Sequence, residues 1–312
     1  MRLRLCLDNH GNLQQYVSEY MEKPVPFIDF GVYEDPEKAF YDWNSKMTLK
    51  PFELLNQELF SFTMVKINDT DGGFYIIFHH LISDAWNMSL LGSIIVDYYC
   101  KLKNGLTDES AYLPKPSYVS FIESDKAYKC SNRYERDKLF WEQKFDTIPE
   151  ATVLKTRKTS LPTAKSKRKT FVAPAKFTSK LKEYCREYKV TPYPLFLSAL
   201  YTYIFRVTAK LDIVLGTPIL NRLNHSEKNT AGMFISTIPL RVNINAEENF
   251  LELCERVLDV CSAAYRHQRF PYDQILRFVR EKHDIKENLY DIVLSYQNAK
   301  FLKDEYSLKC EG

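Results

Sequence analysis

The stretch that most restricts the fold runs from residue 58 to residue 78, ELFSFTMVKINDTDGGFYIIF. Two runs rich in aromatic and branched apolar residues, 58–67 and 74–78, flank the turn-forming DTDGG at 69–73. Strand formers on either side of an Asp/Gly turn predict a hairpin. Downstream, Leu91, Ile94, Ile95, Tyr98, Tyr99 and Leu102 recur at helical spacing, and Asn104-Gly105 supplies a stop. That spacing predicts a helix over 87–103.

The same mixture continues. RLRLCL (2–7) alternates charged and apolar residues as a half-buried strand does. Helices are predicted over 132–145, over 178–188 with Thr178 or Ser179 as cap, over 194–206, over 249–267 and from Pro271 onward. Strands are predicted over 211–218, 233–244 and 289–298. Between them, 147–170 lacks apolar periodicity and carries Lys165, Lys167, Arg168 and Lys169. Read as a solvated connector, it divides the chain into an N-terminal lobe, 1–150, and a C-terminal lobe, 151–312. Strands and helices intermix in both, so each lobe is expected to be an α/β or α+β sandwich.

Composition removes several function classes. The formal net charge is +3 with 27% charged residues, a weak basic excess for a nucleic-acid binder. No apolar run reaches the ~20 residues of a membrane helix, and the start has no signal-peptide core. The seven cysteines, Cys6, Cys100, Cys130, Cys185, Cys254, Cys261 and Cys310, form no C-x-x-C pair. Neither a zinc ribbon nor a disulfide framework is indicated, and a reducing cytoplasm is expected. Cys254 and Cys261 lie two helical turns apart and read as buried apolar fillers. With 9 glycines, the chain offers no G-x-G-x-x-G, P-loop, G-x-S-x-G or H-E-x-x-H pattern.

The apolar run at 74–78 ends in adjacent histidines, HHLISDAW at 79–86. If the strand continues through them, His80 shares a face with Phe78 and Ile76, and His79 faces the other way with Ile77. Only one then serves a given cavity, and no third ligand clusters nearby, so no metal site is expected. The plain alternative is two satisfied core histidines at a strand end.

HHLISDAW resembles the HHxxxDG motif of the condensation domains of nonribosomal peptide synthetases, relatives of chloramphenicol acetyltransferase. In order after it, VLGTPILNR (214–222) is similar to the family's GTPxxNR segment, AGMFISTIPLRV (231–242) to its GxFxNTLPLR-type strand, RHQRFPYDQIL (266–276) to its HQxxPFExL helix start, and NLYDIVLSYQN (288–298) to a late core strand. The resemblance implies an α/β fold of two acetyltransferase-like lobes, each a mixed sheet packed with helices, forming a pseudo-dimer with a central cleft. It makes His80 the functional histidine, His79 and Asp84 supporting residues, and Arg222 the partner of Asp84. Trp86, Ser295 and Gln297 become candidates for a substrate tunnel, with strand packing the competing role. Asn221 is read as support for the turn beside Arg222, and His267 as a helix-end structural residue rather than a second base.

The implied reaction is amide formation, an aminoacyl amine attacking an acyl thioester. Both are held by phosphopantetheine arms of donor and acceptor carrier proteins, with no cofactor bound to this chain and no nucleic acid or membrane as partner. Two further readings stand beside it: a non-catalytic remnant or carrier-docking module, and a stand-alone acyltransferase using acyl-CoA. Departures from the family keep them open. Ala85 replaces the motif's glycine, which raises the question of a strained positive φ. Asn87 stands at a position that is often serine in the family. Both lobes are expected to be incomplete at the chain ends.

Overall fold

The RLRLCL run does pair. In the computed structural model, which describes residues 2–105, 116–150, 154 and 166–297, β1 (Leu3–Leu7) lies antiparallel to β2 (Leu13–Val17). Next come β3 (Phe27–Asp29) and α1 (Pro36–Leu49), whose start combines an Asp35 cap with proline in the first turn. The expected hairpin follows as β4 (Phe60–Lys66) and β5 (Gly72–Phe78), antiparallel with Phe60 opposite Phe78. β3 joins the other edge of β4 in parallel. α2 (Ala85–Lys103) completes this part of the chain.

The remaining helices are α3 (Tyr118–Lys129), α4 (Asn132–Lys144), α5 (Ala175–Glu187), α6 (Pro192–Thr208), the one-turn α7 (His225–Lys228), α8 (Phe250–Arg266) and α9 (Tyr272–His283). β6 (Asp212–Ile219) and β7 (Ser236–Asn243) form one antiparallel pair. The described residues fall into two compact units, one within Met1–Phe121 and Arg222–Phe234, the other within Ile122–Asn221 and Ile235–Ala299.

In the first unit, α1 is fastened by aromatic rings. Phe40 meets buried Phe30 edge-on at 5.6 Å, and Trp43 meets Tyr75 of β5 at 4.6 Å. Asn44, one position further round the helix, accepts a hydrogen bond from the Tyr75 hydroxyl at 2.8 Å. This side therefore supports the strand that leads into the histidines.

The second unit has the larger buried core. β6 is buried on both faces, in keeping with the apolar Ile213, Val214 and Leu215 in succession. α8 sets Leu253, Val257, Cys261 and Ala264 on one stripe in the same core, where the helix packs on β7 and α6. Each large apolar side chain buried this way contributes ~1.5–3 kcal/mol. Cys254 and Cys261 are buried as expected, and burial pushes the Cys261 thiol up to about 12.

Two sequence expectations are corrected. The helix expected from 178 begins at Ala175, with Pro174 at the cap position and no side-chain cap. The Pro174 carbonyl accepts from Phe177 and Thr178 instead, so Thr178 lies within the first turn. The strand expected over 289–298 is, among the described residues, a single parallel bridge of Val293 to Gly216. Its alternating apolar side chains do pack, with Ile292 and Leu294 half-buried against the core. Alternation thus reports burial here without a ladder. Of the basic run, Lys167, Arg168 and Lys169 are exposed, while Lys165 lies outside the described residues, as does Cys310.

Candidate functional site

The site is built at the end of β5. The His79 amide donates to the Leu59 carbonyl at 2.8 Å, the last tie to the neighbouring strand. Half-buried, the His79 ring accepts from the Leu81 amide at 3.2 Å through Nδ1 and stands perpendicular to Phe52 at 5.8 Å. The His79 carbonyl takes the Ile82 amide at 3.1 Å, which closes a turn, and Ile82 is buried beneath it. His80 sits in that turn and is exposed. The pleat expected over 79–80 is therefore corrected: β5 stops at Phe78. A turn rather than strand alternation separates the two rings.

Two residues past Ile82, Asp84 caps the start of α2. Its carboxylate caps the helix by accepting the Asn87 amide at 2.8 Å, and its Oδ2 accepts the Phe234 amide at 2.8 Å. Arg222 Nη2 lies 3.3 and 3.4 Å from the two oxygens, with both side chains essentially sealed from solvent. Arg222 also donates to the carbonyls of Glu227 (2.5 Å), Thr230 (2.6 Å) and Gly232 (2.9 Å), and its guanidinium lies 3.9 Å from the centre of the Phe234 ring. One guanidinium thus closes the loop 222–234 on itself and docks it on the cap of α2. Burial lowers the Arg222 pKa from its usual value, and the Asp84 carboxylate opposes that shift.

Ala85 resolves the question raised by the missing glycine. It is the first residue of α2 and is absent from the positive-φ positions, so alanine sits there without backbone strain. Asn221 does have a positive φ, 52°, a conformation asparagine tolerates, and it turns the chain into Arg222.

Trp86 is partly exposed and donates from Nε1 to the Lys228 carbonyl at 2.8 Å. His79, His80, Asp84, Trp86 and Arg222 therefore belong to one unit. Ser295 and Gln297 belong to the other, and both are exposed. His267, the cap residue at the end of α8, places Nδ1 2.8 Å from buried Asp137 and stacks on Phe140.

Two residues carry more of the site than their sequence context indicates. Asn87 is fully buried, donating to Ser83 Oγ at 2.8 Å and accepting from the Gly232 amide at 3.2 Å. Gly232 has φ 156°, and a Cβ there would lie 2.3 Å from the Tyr118 ring. In a chain with 9 glycines, the signal available for this one is its place inside a recognisable motif. Among the described residues no three His, Cys, Asp or Glu side chains converge to hold a metal, and no helix is long and apolar enough to cross a membrane.

The condensation-domain family model matches residues 1–309. The chain is 33% identical over 307 residues to surfactin synthase subunit 1 of Bacillus subtilis (strain 168), covering 98% of this chain and 8% of that protein. It is 31% identical over 288 residues to a plipastatin synthase protein of the same organism, covering 90% and 11%. The chain thus spans only a small part of the curated relatives it matches. Among solved structures, it aligns with the first condensation domain of the calcium-dependent antibiotic synthetase bound to a substrate analogue. The TM-score is 0.77 at 21% identity, over 94% of this chain and 67% of that one. A mutant of the starter condensation domain of rhizomide synthetase RzmA, in complex with C8-CoA, aligns with TM-score 0.78 at 22% identity over 94% and 65%. At these identities the structural likeness speaks for the fold, the mixed α/β, chloramphenicol-acetyltransferase-like architecture of such domains. The match over nearly the whole chain shows that it belongs to the condensation-domain family.

Proposed function

We propose that this chain is a condensation-type acyltransferase of nonribosomal peptide synthesis, with His80 as its catalytic residue. The reading rests on one observation above the others: an exposed imidazole at position 80, carried on a turn just ahead of the sealed Asp84–Arg222 pair. The nitrogen of a carrier-bound aminoacyl amine attacks the carbonyl carbon of a carrier-bound acyl thioester. The C–N bond forms, the C–S bond breaks, and the departing thiolate takes the proton lost by nitrogen. Trp86, Ser295 and Gln297 are assigned as substrate-contacting side chains, and His79, Asp84 and Arg222 as supports. The lobes are taken as 1–150 and 151–312, the compartment as the cytoplasm, and the partners as donor and acceptor carrier proteins bearing phosphopantetheine.

Magnitudes define what His80 must supply. An α-amine has an ordinary pKa of about 7.7–8.0, so part of it is already neutral near pH 7. A positioned base adds ~10²–10⁴-fold, whereas holding both reactants in attack geometry gives effective molarities up to ~10⁵–10⁸ M. Positioning therefore outweighs basicity.

The C8-CoA bound to the RzmA domain favours a second reading, with an acyl-CoA donor. Incubating the purified protein with an aminoacyl-carrier and either acyl-carrier or acyl-CoA, and weighing the products by mass spectrometry, separates the readings. Amide formed with the acyl-carrier donor is the expected result. Amide only from acyl-CoA selects the second reading. Carrier binding without amide from either donor would leave a docking module and refute the transferase.

A further inference from the structure

The geometry points to Asn87 as a positioning residue for His80, an inference that rests on the transferase reading above. His80 lies on a short turn held at both ends. At one end, His79 is tied to Leu59 and closes the turn through Ile82. At the other end stands Ser83, buried, whose hydroxyl accepts the Asn87 amide at 2.8 Å. The second polar atom of Asn87, Oδ1, takes the Gly232 amide at 3.2 Å.

Gly232 is a firm anchor. Its carbonyl takes Arg222, the Tyr118 ring lies against its α-carbon, and the Tyr118 hydroxyl donates to the next carbonyl, Met233, at 2.6 Å. Asn87 therefore transmits the position of a fixed loop to the residue that ends the His80 turn. Asp84 caps the helix and meets Arg222 independently, so the loop stays docked when Asn87 is shortened. What is lost is the grip on Ser83. A serine at 87 is too short to reach Ser83 and Gly232 together. This chain thus fixes its histidine turn with an amide bridge.

The experiment uses Asn87→Ser, Ser83→Ala and the double variant. Ser83→Ala is the milder change and leaves the Asn87–Gly232 bond in place. Two readouts are taken. Histidine-selective labelling follows the His80 imidazole resonance by NMR, assigned with His80→Ala, and the amide-forming assay gives kcat and KM per folded molecule. The expected result is a displaced His80 resonance in both single variants, with kcat lowered by up to about 100-fold and KM for the carriers unchanged. The double variant should be no worse than Asn87→Ser alone, because both remove one bridge. An unmoved resonance in both variants, or unchanged kcat in an active enzyme, would overturn the inference and leave Asn87 a packing residue. A wild-type protein that makes no amide refutes the transferase reading instead, and the NMR arm still decides whether Asn87 fixes the ring.

Discussion

Asp84 uses two oxygens to cap α2, fix the Phe234 amide and face the Arg222 guanidinium. Asp84→Ala removes the cap and leaves a buried cation without its counter-charge. The expected cost is ~3–5 kcal/mol, read as a lower urea midpoint at unchanged slope. A variant as stable as the wild type would show that the pair holds nothing. The individual members of this lock were legible as letters: a carboxylate four positions after His80, and an arginine in VLGTPILNR. Their contact was not legible from spacing, because 138 residues separate them, and it came from the family resemblance. Asn87 shows the same limit more sharply. Its partner Gly232 is 145 residues away, and no periodicity marks a hydrogen bond across such a distance. Ala85 misled in the opposite direction: a glycine in a motif suggests a special φ, yet the position is the ordinary first residue of a helix.

At the scale of elements, the contact between β6 and the segment after α9 is set by one missing side chain. A Cβ on Gly216 would stand 2.3 Å from Tyr290 Cε2, so the ring packs where any other residue would collide. The Gly216 amide and carbonyl then bond Ile292 and Leu294 at 2.9 and 3.0 Å. Gly216→Ala must displace the ring and loosen both bonds, at a cost of ~1–3 kcal/mol. Thermal unfolding together with limited proteolysis of 289–297 measures it; wild-type melting and protection would contradict the packing. Strongly periodic elements such as α2, α8 and the β4–β5 hairpin were readable because one face must be buried. β2 is exposed at every position, so its LQQYV carries no burial pattern to read. α1 buries no residue fully, and its signal lay only in Asp35-Pro36 at its start. β3 owes its strand to pairing with β4, a tertiary cause.

For the molecule as a whole, the second unit concentrates buried and half-buried phenols and thiols that must stay protonated. Burial pushes the Tyr201 phenol well above its usual value, Tyr265 and Tyr128 likewise, and Tyr272 and Cys261 up to about 12. In the unfolded chain a thiol titrates near 9 and a phenol near 10, so above those values the unfolded state binds fewer protons than the native one. Their stabilising contribution is complete below about pH 8.5 and declines as pH rises toward about 12. Tyrosinate absorbance should therefore rise together with loss of helical signal. Ionisation of these tyrosines near pH 10 with the fold intact would contradict the burial. Whether the exposed His80 serves amide formation while the buried Asp84–Arg222 pair serves the fold is decided by one kinetic comparison. Single-turnover amide formation is measured for wild type and His80→Ala on loaded carriers, alongside their melting curves. Matching melts are predicted, with a rate lower by ~10²-fold or more in the variant. Equal rates would contradict the claim.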